Sequence, residues 1–229
     1  MNNKYFHTFA LMRTITGTDY IYRLIAEGEH QTQDFKFEIS DVCKIARSLS
    51  AFANTNGGKL LVGVKDNGKI TGIRSDEEIY MIEAAAKIYC IPEVQCQMQT
   101  YVVEGRTVLV AQVEASKQKP VYAKDENGKL WAYVRVHDEN ILATAVHLRV
   151  WKQTECPAGT LIKYTEREQV LLNLLEEEEY ISINRFCRKA RVSRREAENL
   201  LAQLIRFDIA EPVFVNHKFY FHLKRELTQ

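Results

Sequence analysis

The C-terminal part of the chain carries the pattern that most restricts its fold. Apolar residues recur there at three- and four-residue spacing, which predicts three amphipathic helices over about 165–178, 183–190 and 194–206. Thr165 precedes the first helix and predicts its N-cap. Ser193 and Glu196 have the S-x-x-E spacing of a capping box, which predicts that the third helix begins directly after a tight break.

Two short apolar runs follow the helices. Residues 213–215 and 219–221 flank Asn216-His217-Lys218, which is typical of a β-hairpin because asparagine tolerates the left-handed backbone of a tight turn. Two helices separated by a brief turn predict a helix-turn-helix. Three helices and a hairpin in this order resemble the winged-helix family, whose last helix enters the major groove of DNA.

The region 185–195 holds six basic residues and no acidic one, although the net charge of the whole chain is only +1. This local excess of positive charge predicts an anionic partner. On the third helix, Arg195, Asn199, Ala202 and Arg206 are predicted to lie opposite the buried face. The predicted nucleic-acid contacts of the tail are Arg188, Arg191, Arg194, Arg195, Asn199, Arg206 and Lys218. The alternative is a solvated surface on a protein-docking module.

The length of 229 residues favours two domains. Periodicity is lost over 151–164, which includes Pro157-Ala158-Gly159 and is typical of a connector. The predicted organisation is a tail at 1–17, a domain at 18–150, a linker at 151–164 and a C-terminal domain at 165–229. We expect a cytoplasmic protein that does not enter membranes, because no apolar run is long enough to span a bilayer. The five cysteines are scattered without a C-x-x-C pair, so we expect reduced thiols and no structural zinc.

The N-terminal part predicts a mixed α+β sheet. Asp41 is predicted to cap a long helix that ends near Asn54, where Gly57 and Gly58 supply a helix stop. The other predicted elements are helices at 18–27 and 76–89 and strands at 34–38, 60–64, 94–103, 107–113, 121–123 and 130–136.

Several motifs of this part occur in a recognisable order. They are Asp34-Phe35-Lys36, residues 51–58 (AFANTNGG), residues 61–68 (LVGVKDNG), Lys119-Pro120-Val121-Tyr122 and Tyr133-Val134-Arg135-Val136. The set resembles the Schlafen AlbA-like domain over about residues 18–145. The resemblance implies a mixed-sheet fold, and many bacterial members carry a winged helix behind this domain and are described as DNA-binding or transcriptional regulators.

The resemblance also implies a metal-dependent ribonuclease site as an alternative. Glu29, Asp34 and Asp66 stand where RNA-cutting relatives have three carboxylates, which together would hold Mg²⁺ or Mn²⁺ and activate water. Lys36 and Arg135 are candidates either for phosphate contacts or for an ion pair within the sheet. His137-Asp138 replaces the Gly-Ser pair that is common in the family after the strand containing Arg135.

Three hypotheses of function follow. The first is a non-enzymatic DNA-binding transcriptional regulator without a cofactor, which prefers DNA to RNA and acts as a homodimer or higher homo-oligomer. The second is the ribonuclease, and the third is a protein-interaction module. ATP hydrolysis and serine-hydrolase chemistry are not predicted, because the chain lacks the P-loop and G-x-S-x-G motifs.

Overall fold

The computed structural model describes residues 16–154 and 165–224, and these form an α+β fold. The helices are α1 (Gly17–Glu27), α2 (Val42–Asn54), α3 (Glu77–Ala84), α4 (Ala145–Thr154), α5 (Glu166–Glu177), α6 (Ile183–Ala190) and α7 (Arg194–Arg206), and a π-helical turn (Ala85–Tyr89) extends α3. The strands are β1 (Gln33–Lys36), β2 (Gly58–Val62), β3 (Cys90–Ile91), β4 (Cys96–Val103), β5 (Arg106–Val113), β6 (Tyr122–Lys124), β7 (Leu130–Val136), β8 (Glu139–Leu142), β9 (Ala210–Val215) and β10 (Lys218–Leu223). Most of the predicted tail, Cys156 and Pro157-Ala158-Gly159 lie outside the described residues.

The first sheet is mixed, as predicted, with the strand order β1-β2-β5-β4. Strand β1 runs parallel to β2, whereas β2 and β4 are both antiparallel to β5. Helix α1 covers one face of this sheet, where its Ile21 and Leu24 join a buried cluster with Phe35 and Leu61. Gly63 follows β2 with a φ of +88°, and a Cβ at this position would lie only 2.6 Å from the Gly72 carbonyl carbon, so there is no room for a side chain.

Helix α2 lies between the first sheet and a second, antiparallel sheet of order β3-β6-β7-β8. Asp41 caps α2 by accepting hydrogen bonds from the amides of Cys43 and Lys44, which confirms the predicted cap. The fully buried Leu49 and Phe52 of α2 contribute to the largest core of this part of the chain. At the end of the helix, Asn54 binds the backbone of Val121 just before β6.

The C-terminal elements form a winged helix-turn-helix. Helices α5, α6 and α7 precede the hairpin β9–β10, and Ile181 pairs with Phe221 through two backbone hydrogen bonds of 2.8 and 2.9 Å. The bridge adds a short third segment to the hairpin. Asn216 and His217 both have positive φ, at 48° and 57°, so the predicted left-handed turn is confirmed.

The helix caps differ in one respect from the prediction. Ser193 accepts a hydrogen bond from the Glu196 amide, but the Glu196 carboxylate pairs with Arg167 on α5 instead of closing the capping box. The reciprocal capping box occurs at α5, between Thr165 and Glu168. A neighbouring cation has therefore drawn Glu196 away from the local backbone.

Three elements were not predicted from the sequence: β3, β8 and α4. Helix α4 crosses the predicted boundary between residues 150 and 151, and its Val146 is buried in the winged-helix core. Helix α4 therefore shares a core with the C-terminal elements, although residues 145–150 were predicted as part of the first domain. Of the helices within residues 16–154 and 165–224, none is long and apolar enough to cross a membrane.

Candidate nucleic-acid interface

The turn between α6 and α7 brings basic side chains to the surface. Arg191 ends α6 in a left-handed conformation, with φ 52° and ψ 40°. The next residue, Val192, is buried and anchors the turn in the winged-helix core. Ser193 then caps α7 through the Glu196 amide. The connection is thus short, and its ends are fixed by the core and by a helix cap.

Four cations around this turn are exposed and lack a side-chain hydrogen bond or ion pair to any described residue. They are Arg188, Lys189, Arg191 and Arg195, and we refer to them as the basic turn surface. Three of them were predicted as contacts. Lys189 was not predicted as a contact, although its position within the basic region 185–195 could have identified it.

Two other cations of the basic region 185–195, Arg185 and Arg194, are paired with carboxylates. Arg185 Nη2 lies 2.5 Å from Glu178, and this carboxylate raises the pKa of Arg185. Arg194, a predicted contact, donates to Glu198 and to Asn184, both at 3.1 Å. Its positive charge is therefore partly compensated. The four-residue spacing of Arg194 and Glu198 is a signal of this pair in the sequence.

Helix α4 covers one flank of α7, which corrects the predicted exposed face. Ala202 was predicted to lie outward, but it is 0% exposed. Glu198 on the same flank is buried and accepts hydrogen bonds from Arg149 of α4 at 2.9 and 3.2 Å. The prediction failed because nothing in residues 194–206 themselves indicates that α4 packs there. On the uncovered flank, Arg195 is exposed, and Asn199 and Arg206 are half-buried.

The wing adds one cation. Lys218 begins β10 directly after the left-handed Asn216-His217 turn, and its side chain is exposed. It makes no side-chain hydrogen bond or ion pair within the described part of the chain. The predicted contact at Lys218 is thus sterically accessible.

Arg135 was predicted as a nucleic-acid contact, and the structure contradicts this. Its side chain is 1% exposed, and it binds Asp34 at 3.3 Å, Asn140 at 2.9 Å and the Gln33 carbonyl at 3.1 Å. A guanidinium enclosed in this way cannot reach a phosphate. Lys36, which is more exposed, also pairs with Asp34, at 2.7 Å. The ion-pair alternative therefore describes both residues.

Two of the three predicted metal ligands, Glu29 and Asp34, lie next to each other, but the three do not form a cluster. Glu29 Oε1 accepts a hydrogen bond from the Phe35 amide at 2.9 Å. Burial raises the pKa of Glu29, and hydrogen bonding to the adjacent Asp34 adds to the effect. Asp66 instead lies exposed in the turn after Lys65. Within residues 16–154 and 165–224, no group of three or more His, Cys, Asp or Glu side chains is arranged to hold a metal ion.

This donor set does not fit Mg²⁺ or Mn²⁺, since Asp34 is committed to two cations and the three carboxylates do not form a cluster. His137 stands after β7, where the resemblance implies a glycine. It takes a φ of 55° in the turn between β7 and β8, and its amide donates to Gln31 Oε1 at 2.9 Å.

The family model described as "Schlafen, AlbA_2" matches residues 29–144, which is more than half of the chain. The chain belongs to this Schlafen AlbA_2 family. The match confirms the resemblance seen in the sequence motifs. No curated protein matches this chain.

The solved structures that are similar to this Schlafen AlbA_2 protein include the following two. The DIP2311 protein from Corynebacterium diphtheriae is 20% identical, with a TM-score of 0.44 over 75% of this chain and 32% of that one. The N-terminal domain of a RecG-related protein from Nitrosomonas europaea is 20% identical, with a TM-score of 0.39 over 66% of this chain and 97% of that domain. The chain thus spans about a third of the Corynebacterium protein.

Proposed function

We propose that this protein is a DNA-binding transcriptional regulator that contacts DNA through its winged helix. The observation that carries the proposal is the basic turn surface, four exposed cations at the end of α6 and the start of α7 that have no partner among the described residues. Unpaired cations on one surface neutralise phosphates and release counterions, which is the main source of affinity for DNA. Membership of the Schlafen AlbA_2 family supports the proposal, because many bacterial members are described as DNA-binding regulators.

The position of the cations favours duplex DNA over duplex RNA. In a winged helix the second helix of the turn motif enters the major groove, which in B-form DNA is wide enough to admit it. The major groove of A-form RNA is too narrow for a helix. In this arrangement Arg195, Asn199 and Arg206 face the base edges, while Arg188 and Arg191 lie along the phosphates.

The wing supplies a second point of contact. Lys218 lies at the turn of the hairpin, outside the basic turn surface, and it contacts the DNA backbone there. A single module of this kind covers few base pairs, and two copies bound to adjacent half-sites provide specificity. We therefore propose that the regulator acts as a pair of chains.

The experiment compares DNA binding by the wild-type chain and the Arg191→Ala/Arg195→Ala variant. The probe is a fluorescently labelled duplex DNA of mixed sequence, because phosphate contacts do not require a known operator. Loss of two phosphate contacts lowers the slope of log affinity against log salt by about 2 and weakens binding by about tenfold or more at moderate salt. Fluorescence anisotropy over a salt series measures both quantities.

A matched control is Lys87→Ala/Lys117→Ala, which removes two exposed positive charges from the Schlafen AlbA_2 domain. We expect this variant to bind as the wild type does. Equal weakening by both variants would mean that net charge, and not the basic turn surface, governs binding. Salt-independent or absent binding by the wild type would favour a protein-interaction module, and tighter binding to duplex RNA would contradict the preference for DNA.

A further inference from the structure

Strand β4 forms one edge of the first sheet and is unusually long for an edge. Its eight residues all pair with β5, from Cys96 opposite Val113 to Val103 opposite Arg106. No other described strand pairs with its second edge. Edge strands with free amide and carbonyl groups are templates for pairing with another chain.

The other sheet edges among the described residues are protected in the usual ways. Strand β1 contains Asp34 and Lys36, and its Phe35 amide is bound by the Glu29 carboxylate. Strand β8 has four residues and begins with Glu139, and β3 has two residues and is followed by Pro92. Strand β9 contains Glu211 and Pro212, and β10 begins with Lys218 and is bridged at Phe221 by Ile181. Short length, charge and proline all prevent pairing along an edge.

Strand β4 has none of these features. Its sequence, CQMQTYVV, contains no charged residue and no proline. The strand is also held in place on both faces, since Tyr101 packs on Tyr20 of α1 and Met98 packs on the core beside α2. Near its end Val102 is 69% exposed. An ordered, neutral strand with an exposed valine is therefore presented at the edge of the sheet.

We infer that β4 pairs antiparallel with β4 of a second copy of this chain and joins two four-stranded sheets into one of eight strands. A two-fold axis perpendicular to the sheet at Thr100 sets the two Thr100 residues opposite each other and Val102 of one copy opposite Met98 of the other. The same register sets Glu104 opposite Cys96. No like charges face each other, so two identical strands are electrostatically compatible.

Pairing through β4 specifies where two copies meet, and it does not rest on the proposed DNA binding. Self-association is measured without nucleic acid, so a monomeric chain would leave the role of the basic turn surface open. Likewise, loss of DNA binding by the Arg191→Ala/Arg195→Ala variant would not affect β4 pairing.

The first test places lysines on the edge with Thr100→Lys/Val102→Lys. Both native side chains are exposed, so the folded monomer tolerates the change, which circular dichroism and thermal unfolding verify. In the pair, the lysines at position 100 of the two copies lie directly opposite each other and repel. Size-exclusion chromatography with light scattering is expected to show a dimer for the wild type and a monomer for the variant.

Leu142→Lys is the matched control, because Leu142 is a large apolar residue, 47% exposed, on the edge strand β8. We expect this variant to be dimeric. A monomeric wild type, a dimeric β4 variant or a monomeric control would each overturn the inference.

Hydrogen exchange on the wild type provides a second measurement that needs no substitution. The β4 amides that point away from β5 are expected to be protected at high protein concentration and to lose protection on dilution into monomers. Exchange at the rate of an unprotected strand at every concentration would overturn the inference. Protection in a monomeric chain would also overturn it, since another segment of the same chain would then cover the edge.

Discussion

Arg135 Nη2 lies 3.3 Å from Asp34 Oδ1, and both side chains are almost fully buried, at 1% and 4% exposure. The pair joins β1 of the first sheet to β7 of the second. Because both charges are desolvated, removal of Asp34 leaves Arg135 without a carboxylate in the interior, and removal of Arg135 leaves Asp34 with only the partly exposed Lys36. Breaking a buried pair in this way costs about 3–5 kcal/mol. The contact is therefore structural, although both residues belong to motifs that resemble a nucleic-acid-binding family.

We expect Asp34→Asn and Arg135→Met each to lower the free energy of unfolding by about 3–5 kcal/mol. Urea unfolding followed by circular dichroism measures the change. Lys36→Met is the control, since Lys36 pairs with the same carboxylate but is 33% exposed, and we expect a loss of about 1 kcal/mol or less. Equal losses at Lys36 and Arg135 would contradict the importance of burial.

Asn54 links the end of α2 to the second sheet and to the residue before β6. Its Nδ2 donates to the carbonyls of Val121 and Tyr133 at 2.8 and 2.9 Å, and its Oδ1 accepts from the Val121 amide at 2.8 Å. Asn54→Leu leaves these buried groups unsatisfied, and we expect a loss of about 3 kcal/mol or more. Faster hydrogen exchange of the Val121 amide would locate the effect.

Asn56→Leu is the matched change at an exposed position two residues further on. We expect it to alter the stability by about 0.5 kcal/mol or less. A similar loss at both positions would show that leucine is poorly tolerated in this turn, and that the hydrogen bonds of Asn54 are not responsible.

We expect His147 to make the stability of the C-terminal part depend on pH. Its Nδ1 accepts a hydrogen bond from the Thr144 amide at 3.2 Å, and its ring packs on Phe219 of the wing with centroids 4.7 Å apart. Burial lowers the pKa of His147 to about 4 from an ordinary value of 6.5. Between these values the unfolded chain binds a proton that the folded chain does not, so stability decreases as the pH falls through this range.

We expect the pH change to cost up to about 3 kcal/mol, because each pKa unit corresponds to about 1.4 kcal/mol. The measurement is the free energy of unfolding from pH 7 to pH 4, in the wild type and in His147→Gln, whose side chain does not titrate. The variant is expected to show a smaller decrease. Parallel curves would mean that other groups account for the pH dependence.

Glu198 connects α7 to α4 by accepting hydrogen bonds from both Arg149 and Arg194. Glu198→Gln removes the charge that both arginines face, and we expect a loss of stability of about 1–3 kcal/mol together with faster hydrogen exchange in α4. Glu196→Gln is the control on the same helix. Its partner Arg167 is largely exposed, so we expect a loss below about 1 kcal/mol. Unchanged exchange in α4 after Glu198→Gln would contradict this role.

Local signals in the sequence were sufficient to predict many elements. Asp41, Thr165 and Ser193 each cap the predicted helix, because a cap depends on the few amides next to it. The turn at Asn216 was predicted because its left-handed backbone also depends on the local residue type. The apolar spacing of α7 correctly predicted its buried residues Ala197, Leu200, Leu201 and Leu204.

Contacts between distant segments could not be predicted in this way. The partners of Arg135, Arg149 and Glu196 depend on which groups of opposite charge the fold brings near them, and the spacing along the chain does not predict those contacts. Ala202 has an outward helical position, yet α4 covers it.

The sequence by itself determined the type of most elements, the family motifs and the region of positive charge, because these follow from residues close together in the chain. Only the tertiary structure decided which charges are paired and which are exposed. It buried Arg135 against Asp34, set Arg149 against Glu198 and left Arg191 and Arg195 exposed. The physical reason is that desolvation and pairing depend on packing between elements, which local sequence does not encode.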